Sequence, residues 1–297
     1  MSFTSFGRIT TPVLEIGYEF AGDPSGTPVI LLHGFPYDVR AFDDVAPILA
    51  DQDAFVLAPY LRGFGPTRFL DGTTIRSGQQ AALGQDLIDF MDALNIEKAV
   101  VVGYDWGGRA ACIVAALKPG RVAGLVSAGG YNMQNLACSG EPAIPEWERT
   151  YWYQYYFHSE RGRRGLDRNR DELCELLWRT WSPTWCGATQ AFPASAPSLH
   201  NSDFVDVVIH SYRHRYGLVE GDPQYQGLED LIVQEPQITV PTVVLGSGDD
   251  GVGGPIAIDD REYFTGPHDH RILPGIGHNV PQENPKAFAQ AVVSLLA

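Results

Sequence analysis

The segment Val100-Val101-Val102-Gly103-Tyr104-Asp105-Trp106-Gly107-Gly108-Arg109-Ala110-Ala111 constrains the fold of this chain more than any other. Three valines predict a buried strand, and small residues follow that suit a helix lying close to a sheet. Strand, tight turn and helix with glycine on both sides of one reactive residue describe the nucleophile elbow, whose common form is G-x-S-x-G. Here the central residue is Asp105. Aspartate is also an ordinary turn residue, so the meaning of the motif depends on what surrounds it.

An elbow needs parallel neighbours, and the sequence supplies them. Residues 29–32, 54–57, 100–102 and 124–126 are short apolar runs separated by segments that can hold a helix, the pattern of a buried parallel sheet. Residues 8–20 read as a pair of short strands ahead of the turn signal Asp23-Pro24-Ser25-Gly26. One helix is expected over 84–94, where Leu87, Ile88, Met91 and Leu94 recur at helical spacing. After about residue 131 the strand rhythm stops. Trp147, Tyr151, Trp152, Tyr153, Tyr155, Tyr156 and Phe157 crowd one stretch, and Leu173, Leu176, Leu177 and Trp181 mark an amphipathic helix. Strands return at 242–245 and 271–273, and a closing helix is expected from Pro281.

Charge and cysteine usage narrow the partners. The 297 residues carry a formal charge of -15, which repels nucleic acid and anionic membrane surfaces. The one basic cluster, Arg161, Arg163, Arg164, Arg168 and Arg170, reads as a solvated helix end. Residues 1–10 lack the pattern of a secretory signal, and no apolar run reaches the roughly 18 residues of a membrane span. A soluble, cytoplasmic protein is expected. Cys112, Cys138, Cys174 and Cys186 lack metal or redox spacing and are expected to be reduced thiols.

Two further pieces give Asp105 its chemical context. His33-Gly34-Phe35-Pro36 follows the strand at 29–32, where an elbow enzyme builds half of its oxyanion hole from a backbone N–H. Gly275-Ile276-Gly277-His278-Asn279 follows the last strand and places His278 on a glycine-flexed loop, last in a nucleophile, acid, histidine order. The acid belongs after the strand at 242–245, where spacing alone leaves Asp249 and Asp250 equal. Gly246-Ser247-Gly248-Asp249-Asp250-Gly251 also fits a dinucleotide pattern, but Val252-Gly253-Gly254-Pro255 is a poor helix start. His268-Asp269-His270 lacks a third metal ligand at sensible spacing. No cofactor or metal is expected.

At these residues the chain resembles the α/β-hydrolase superfamily, and its aspartate elbow resembles the branch of epoxide hydrolases, haloalkane dehalogenases and fluoroacetate dehalogenases. His33-Gly34-Phe35-Pro36 and Asp105-Trp106-Gly107-Gly108 are most similar to epoxide hydrolases. Residues 152–157, WYQYYF, resemble the family segment with the first ring-opening tyrosine, which maps to Tyr153 and is followed by Gln154. Residues 211–217, SYRHRYG, resemble the segment with the second, which maps to Tyr212. The family pattern favours Asp250 over Asp249 as the acid. Tyr104 replaces the histidine usual before the nucleophile. Arg109 matches one of two arginines by which fluoroacetate dehalogenases hold a carboxylate, the other position being Trp106 here. On its own, Arg109 reads as a charge on a helix surface.

The resemblance implies an α/β-hydrolase core with a mostly parallel sheet flanked by helices, over residues 1–130 and 236–297, and a helical cap inserted over 131–235. It implies a cofactor-independent epoxide hydrolase acting on a mainly apolar epoxide. Asp105 would be the nucleophile, His278 the base, Asp250 its partner, and Tyr153 and Tyr212 the proton donors. The N–H groups of Phe35 and Trp106 would form the oxyanion hole, with Phe35, Trp106 and Gln154 contacting substrate. One alternative is a haloalkane or haloacid dehalogenase using the same Asp105, His278 and Asp250. Another is a non-catalytic ligand-binding protein on this fold.

Overall fold

The computed structural model describes residue 3, residues 5–252 and residues 257–296. Gly253, Gly254 and Pro255, the poor helix start, lie outside the described residues. Nine strands form one sheet among the described residues: β1 Ser5–Thr10, β2 Leu14–Ala21, β3 Thr27–Leu32, β4 Ala54–Pro59, β5 Arg68–Phe69, β6 Ala99–Tyr104, β7 Val122–Ala128, β8 Thr242–Ser247 and β9 His268–Leu273. The order is β1-β2-β4-β3-β6-β7-β8-β9, with β5 paired to β2. β1 and β2 are antiparallel, as is β2 with β4, and from β4 to β9 every pairing is parallel.

All six residues of β6 are buried, which accounts for its unbroken apolar reading: parallel strands covered on both faces do not alternate. Helices α1 Ala46–Ala50, α2 Gln80–Ala93 and α3 Asp105–Leu117 fall in the first part of the chain. The helix expected over 84–94 thus starts a turn earlier. β9 begins at His268 rather than at 271, because this edge strand is polar and its alternation is weak.

Between β7 and β8 the chain runs through α4 Pro145–Thr150, α5 Trp152–His158, α6 Glu160–Arg168, α7 Arg170–Trp181, α8 Ala188–Leu199, α9 Phe204–Arg215 and α10 Gln226–Ile232. The expected closing helix is two pieces, α11 Val280–Glu283 and α12 Pro285–Val293. Pro285 breaks the run, because Asn284 before it is driven out of helical geometry.

Buried polar contacts join the helical segment to the sheet. Asp38, in the loop after β3, accepts from the Ser195 and Ser198 hydroxyls of α8 at 2.6 Å each. Arg62, after β4, makes two 2.6 Å bonds to Asp86 of α2 and donates to the Tyr225 hydroxyl at 3.0 Å. Trp178 of α7 donates its indole N–H to the Pro36 carbonyl at 2.9 Å. Among the described residues no helix is long and apolar enough to cross a membrane.

Candidate active site

The site gathers at the carboxyl ends of the parallel strands, where loops after β3, β6, β8 and β9 meet. Asp105 is the first residue of α3 and adopts φ 50°, a left-handed conformation costly for a residue with a Cβ. The turn is held by close approach: a Cβ on Gly107 would stand 2.1 Å from the Leu32 carbonyl oxygen of β3. Gly34 serves the carboxylate in the same way, since a Cβ there would lie 2.4 Å from Asp105 Oδ1. That space lets the Phe35 N–H donate to Asp105 Oδ1 at 2.8 Å.

Asp105 Oδ2 lies 3.6 Å from His278 Nε2, an ion-pair distance rather than a hydrogen bond. His278 Nδ1 lies 2.9 Å from Asp250 Oδ2, and the other Asp250 oxygen accepts from the Val252 N–H at 2.8 Å. Asp249 faces elsewhere and accepts from the Gly275 N–H at 2.8 Å, bracing the loop that bears the histidine. The structure therefore brings Asp250, not Asp249, to His278. Burial alone would lower the His278 pKa, but Asp250 and Asp105 outweigh it and push it up to about 10. For Asp105, burial raises the pKa, yet His278, Arg109 and the Trp106 N–H together hold it below the ordinary carboxylate range.

Tyr153 of α5 and Tyr212 of α9 meet edge to face, with ring centroids 5.4 Å apart. Gln154 donates to the Tyr153 oxygen at 3.0 Å, and a side-chain hydrogen bond links Tyr153 to Tyr212. Burial, with Asp105 contributing, raises both phenols above their ordinary value, so both stay protonated at neutral pH. A cavity of about 550 Å³ opens onto Asp105, His278, Asp250, Tyr153, Gln154 and Arg109. The Phe35 and Trp106 rings, expected to contact substrate, are buried, as is the Tyr212 ring, and none of the three is among the residues lining this cavity. Phe35 and Trp106 stack on each other at 5.6 Å and pack against Phe64, Phe204 and Tyr212, so the neighbouring aromatics take up their surface.

The family model of the alpha/beta hydrolase fold matches residues 27–285. The chain belongs to the α/β-hydrolase fold family. A solved structure of a candidate epoxide hydrolase from Klebsiella pneumoniae subsp. pneumoniae is 43% identical with a TM-score of 0.97, and the alignment covers 99% of this chain and 98% of that one. Epoxide hydrolase A of Mycobacterium tuberculosis is 25% identical over 93% of this chain and 92% of its own length. A candidate epoxide hydrolase from Pseudomonas aeruginosa, 20% identical over 98% of this chain and 95% of its own, shares the fold with a TM-score of 0.79.

In this α/β hydrolase Arg109 is not the surface charge its helix position suggested. It lies four residues after Asp105 on α3, therefore on the same face, and lines the cavity. Two contributors escaped the sequence reading. Arg215, three residues after Tyr212 on α9, also lines the cavity, and the helical i, i+3 spacing within SYRHRYG was the signal that could have found it. Trp181 ends α7, and its carbonyl accepts from the N–H groups of both Gly251 and His278, at 2.9 and 3.1 Å. No sequence pattern announces that contact, because it joins three loops distant in the chain.

Proposed function

We propose that this α/β hydrolase opens epoxides to vicinal diols through an ester on Asp105, under a cap formed by residues 131–235. The observation that carries the reading is the pair of buried phenols, Tyr153 and Tyr212, packed edge to face within the electrostatic reach of the Asp105 carboxylate. A carboxylate attacks saturated carbon and leaves an alkyl ester. An epoxide supplies a leaving oxygen that stays on the substrate and needs a hydrogen-bond donor as its charge develops. Tyr153 and Tyr212 provide such donors. The epoxide hydrolase names of the relatives support the same class.

The first step forms the bond from Asp105 Oδ2 to carbon, breaks the ring C–O bond and passes a phenolic proton to the alkoxide. Esterification then removes the negative charge that Asp105 lends to the His278 imidazolium. The imidazolium releases its proton, which replaces the one lost by the phenol. Neutral His278, oriented by Asp250, takes a proton from water as its oxygen attacks Asp105 Cγ. The Phe35 and Trp106 N–H groups hold the oxyanion. Collapse expels the second alkoxide, which takes the remaining water proton, and restores the Asp105 carboxylate.

Changing His278→Gln should leave attack intact while removing the base for hydrolysis, so the ester accumulates. Intact-protein mass spectrometry after incubation with an epoxide should show an adduct of the full substrate mass, mapped to Asp105. A halogen-free adduct formed only from haloalkanes or haloacids would assign the chain to the dehalogenases. Saturable binding with no adduct from any of these compounds would favour the non-catalytic reading.

A further inference from the structure

Two guanidinium groups, Arg109 on α3 and Arg215 at the end of α9, line the cavity that contains Asp105. Arg215 is 9% exposed, and its Nε and Nη2 are buried without a hydrogen-bond partner. Its Nη1 donates to the neutral Gln154 carbonyl at 3.1 Å, and its face lies over the Tyr212 ring at 4.8 Å. Arg109 forms no ion pair among the described residues. Burial lowers its pKa to about 10, with repulsion from Arg215 adding to the effect and attraction from Asp105 opposing it. Two like charges lining one largely buried cavity repel each other, and an anion between them would relieve the cost.

The carboxylates of the same cavity are otherwise engaged. Asp105 is held by the Phe35 N–H and His278, and Asp250 by His278 and the Val252 N–H. Glu148 accepts from the Ala143 N–H at 2.7 Å and from the Tyr155 hydroxyl, while Glu141 is exposed. In a chain of net charge -15, two cations in this cavity that no carboxylate among the described residues ion-pairs or hydrogen-bonds are available to an incoming anion.

We propose that Arg109 and Arg215 form a carboxylate subsite and that the substrate is an acidic epoxide, with its carboxylate a few carbons from the ring. Guanidinium forks match carboxylate geometry and bind it by charge-assisted hydrogen bonds. The four-residue offset puts Arg109 about one helical turn from Asp105 on the same face of α3, so anchor and nucleophile open onto one cavity. Anchoring the acid would orient one ring carbon toward Asp105 Oδ2. The subsite deepens the epoxide reading and, in its substrate, rests on it.

The test separates binding from chemistry. Cyclopropylacetate copies 3,4-epoxybutanoate with the ring oxygen replaced by carbon, so it cannot alkylate Asp105. Calorimetry should find that it binds at least ~10-fold tighter than its methyl ester, as expected for losing a charged hydrogen-bond pair. Arg109→Gln and Arg215→Gln should each abolish that preference, and Arg109→Lys should restore part of it. In turnover, the ratio of kcat/KM for 3,4-epoxybutanoate to that for its methyl ester should fall by ~10- to 10²-fold in Arg109→Gln. Should Arg215→Gln not fold, the two Arg109 variants carry the test. Equal binding of acid and ester by the wild type, or a preference surviving in Arg109→Gln, would overturn the subsite. An acid preference in binding without alkylation by either epoxide would uphold the subsite and overturn the epoxide reading.

Discussion

Tyr153 and Tyr212 act on the first step proposed here, and Asp250 on the second, so substitutions at these residues should separate in transient kinetics. Tyr153→Phe and Tyr212→Phe should each slow ester formation by ~10²-fold, as loss of one donor to a developing oxyanion does. Asp250→Asn should slow ester hydrolysis by ~10⁴-fold through the wrong tautomer of His278. Asp249→Asn should stay within a few-fold, since an amide oxygen can still accept from the Gly275 N–H. Single-turnover traces with a chromogenic epoxide resolve the two phases. Wild-type alkylation rates in both tyrosine variants would remove the phenols from the mechanism.

At the scale of elements, the helical segment is locked to the loop after β3 by a carboxylate in an unfavourable place. Asp38 is buried, and burial raises its pKa to about 6 despite the Ser195, Ser198 and Arg40 donors. A carboxylate whose folded pKa exceeds its unfolded value of 3.8 favours folding in its protonated form. Its contribution is present below pH 3.8 and is lost as pH rises through about 6. The difference corresponds to about 3 kcal/mol. Asp38→Asn, a neutral isostere, should therefore flatten the decline in stability between pH 4 and 7, read from urea unfolding midpoints. An unchanged slope would place the titration elsewhere. The elements around this lock were themselves legible: each buried parallel strand announces itself as an apolar run, because both faces are covered.

Across the whole molecule, Arg62 joins three distant parts: the loop after β4, Asp86 of α2 and Tyr225 beyond α9. Asp86→Ala should cost about 3–5 kcal/mol by leaving Arg62 charged, buried and unpaired. Replacing both partners, with Arg62→Met and Asp86→Leu, should cost less than the single change, because no orphan charge remains. Denaturant unfolding of the three variants checks the order. A double variant weaker than Asp86→Ala would show that the pair also positions the helical segment.

Local sequence determined the elbow, the parallel sheet and the aromatic helical segment, because strand burial, tight turns and helix faces depend on near neighbours. It also brought Asp105 and His278 forward as candidates, while Tyr153 and Tyr212 came from the resemblance to epoxide hydrolases. It left Asp249 and Asp250 equal by count, since adjacent residues differ in direction and not in distance along the chain. Only the tertiary structure turned Asp250 toward His278 and Asp249 toward Gly275. It alone buried the Phe35 and Trp106 rings. It likewise brought Arg109 and Arg215, 106 positions apart in sequence, to one cavity. Such contacts are fixed by how α3 and α9 pack over the sheet, and no spacing within either helix encodes the other.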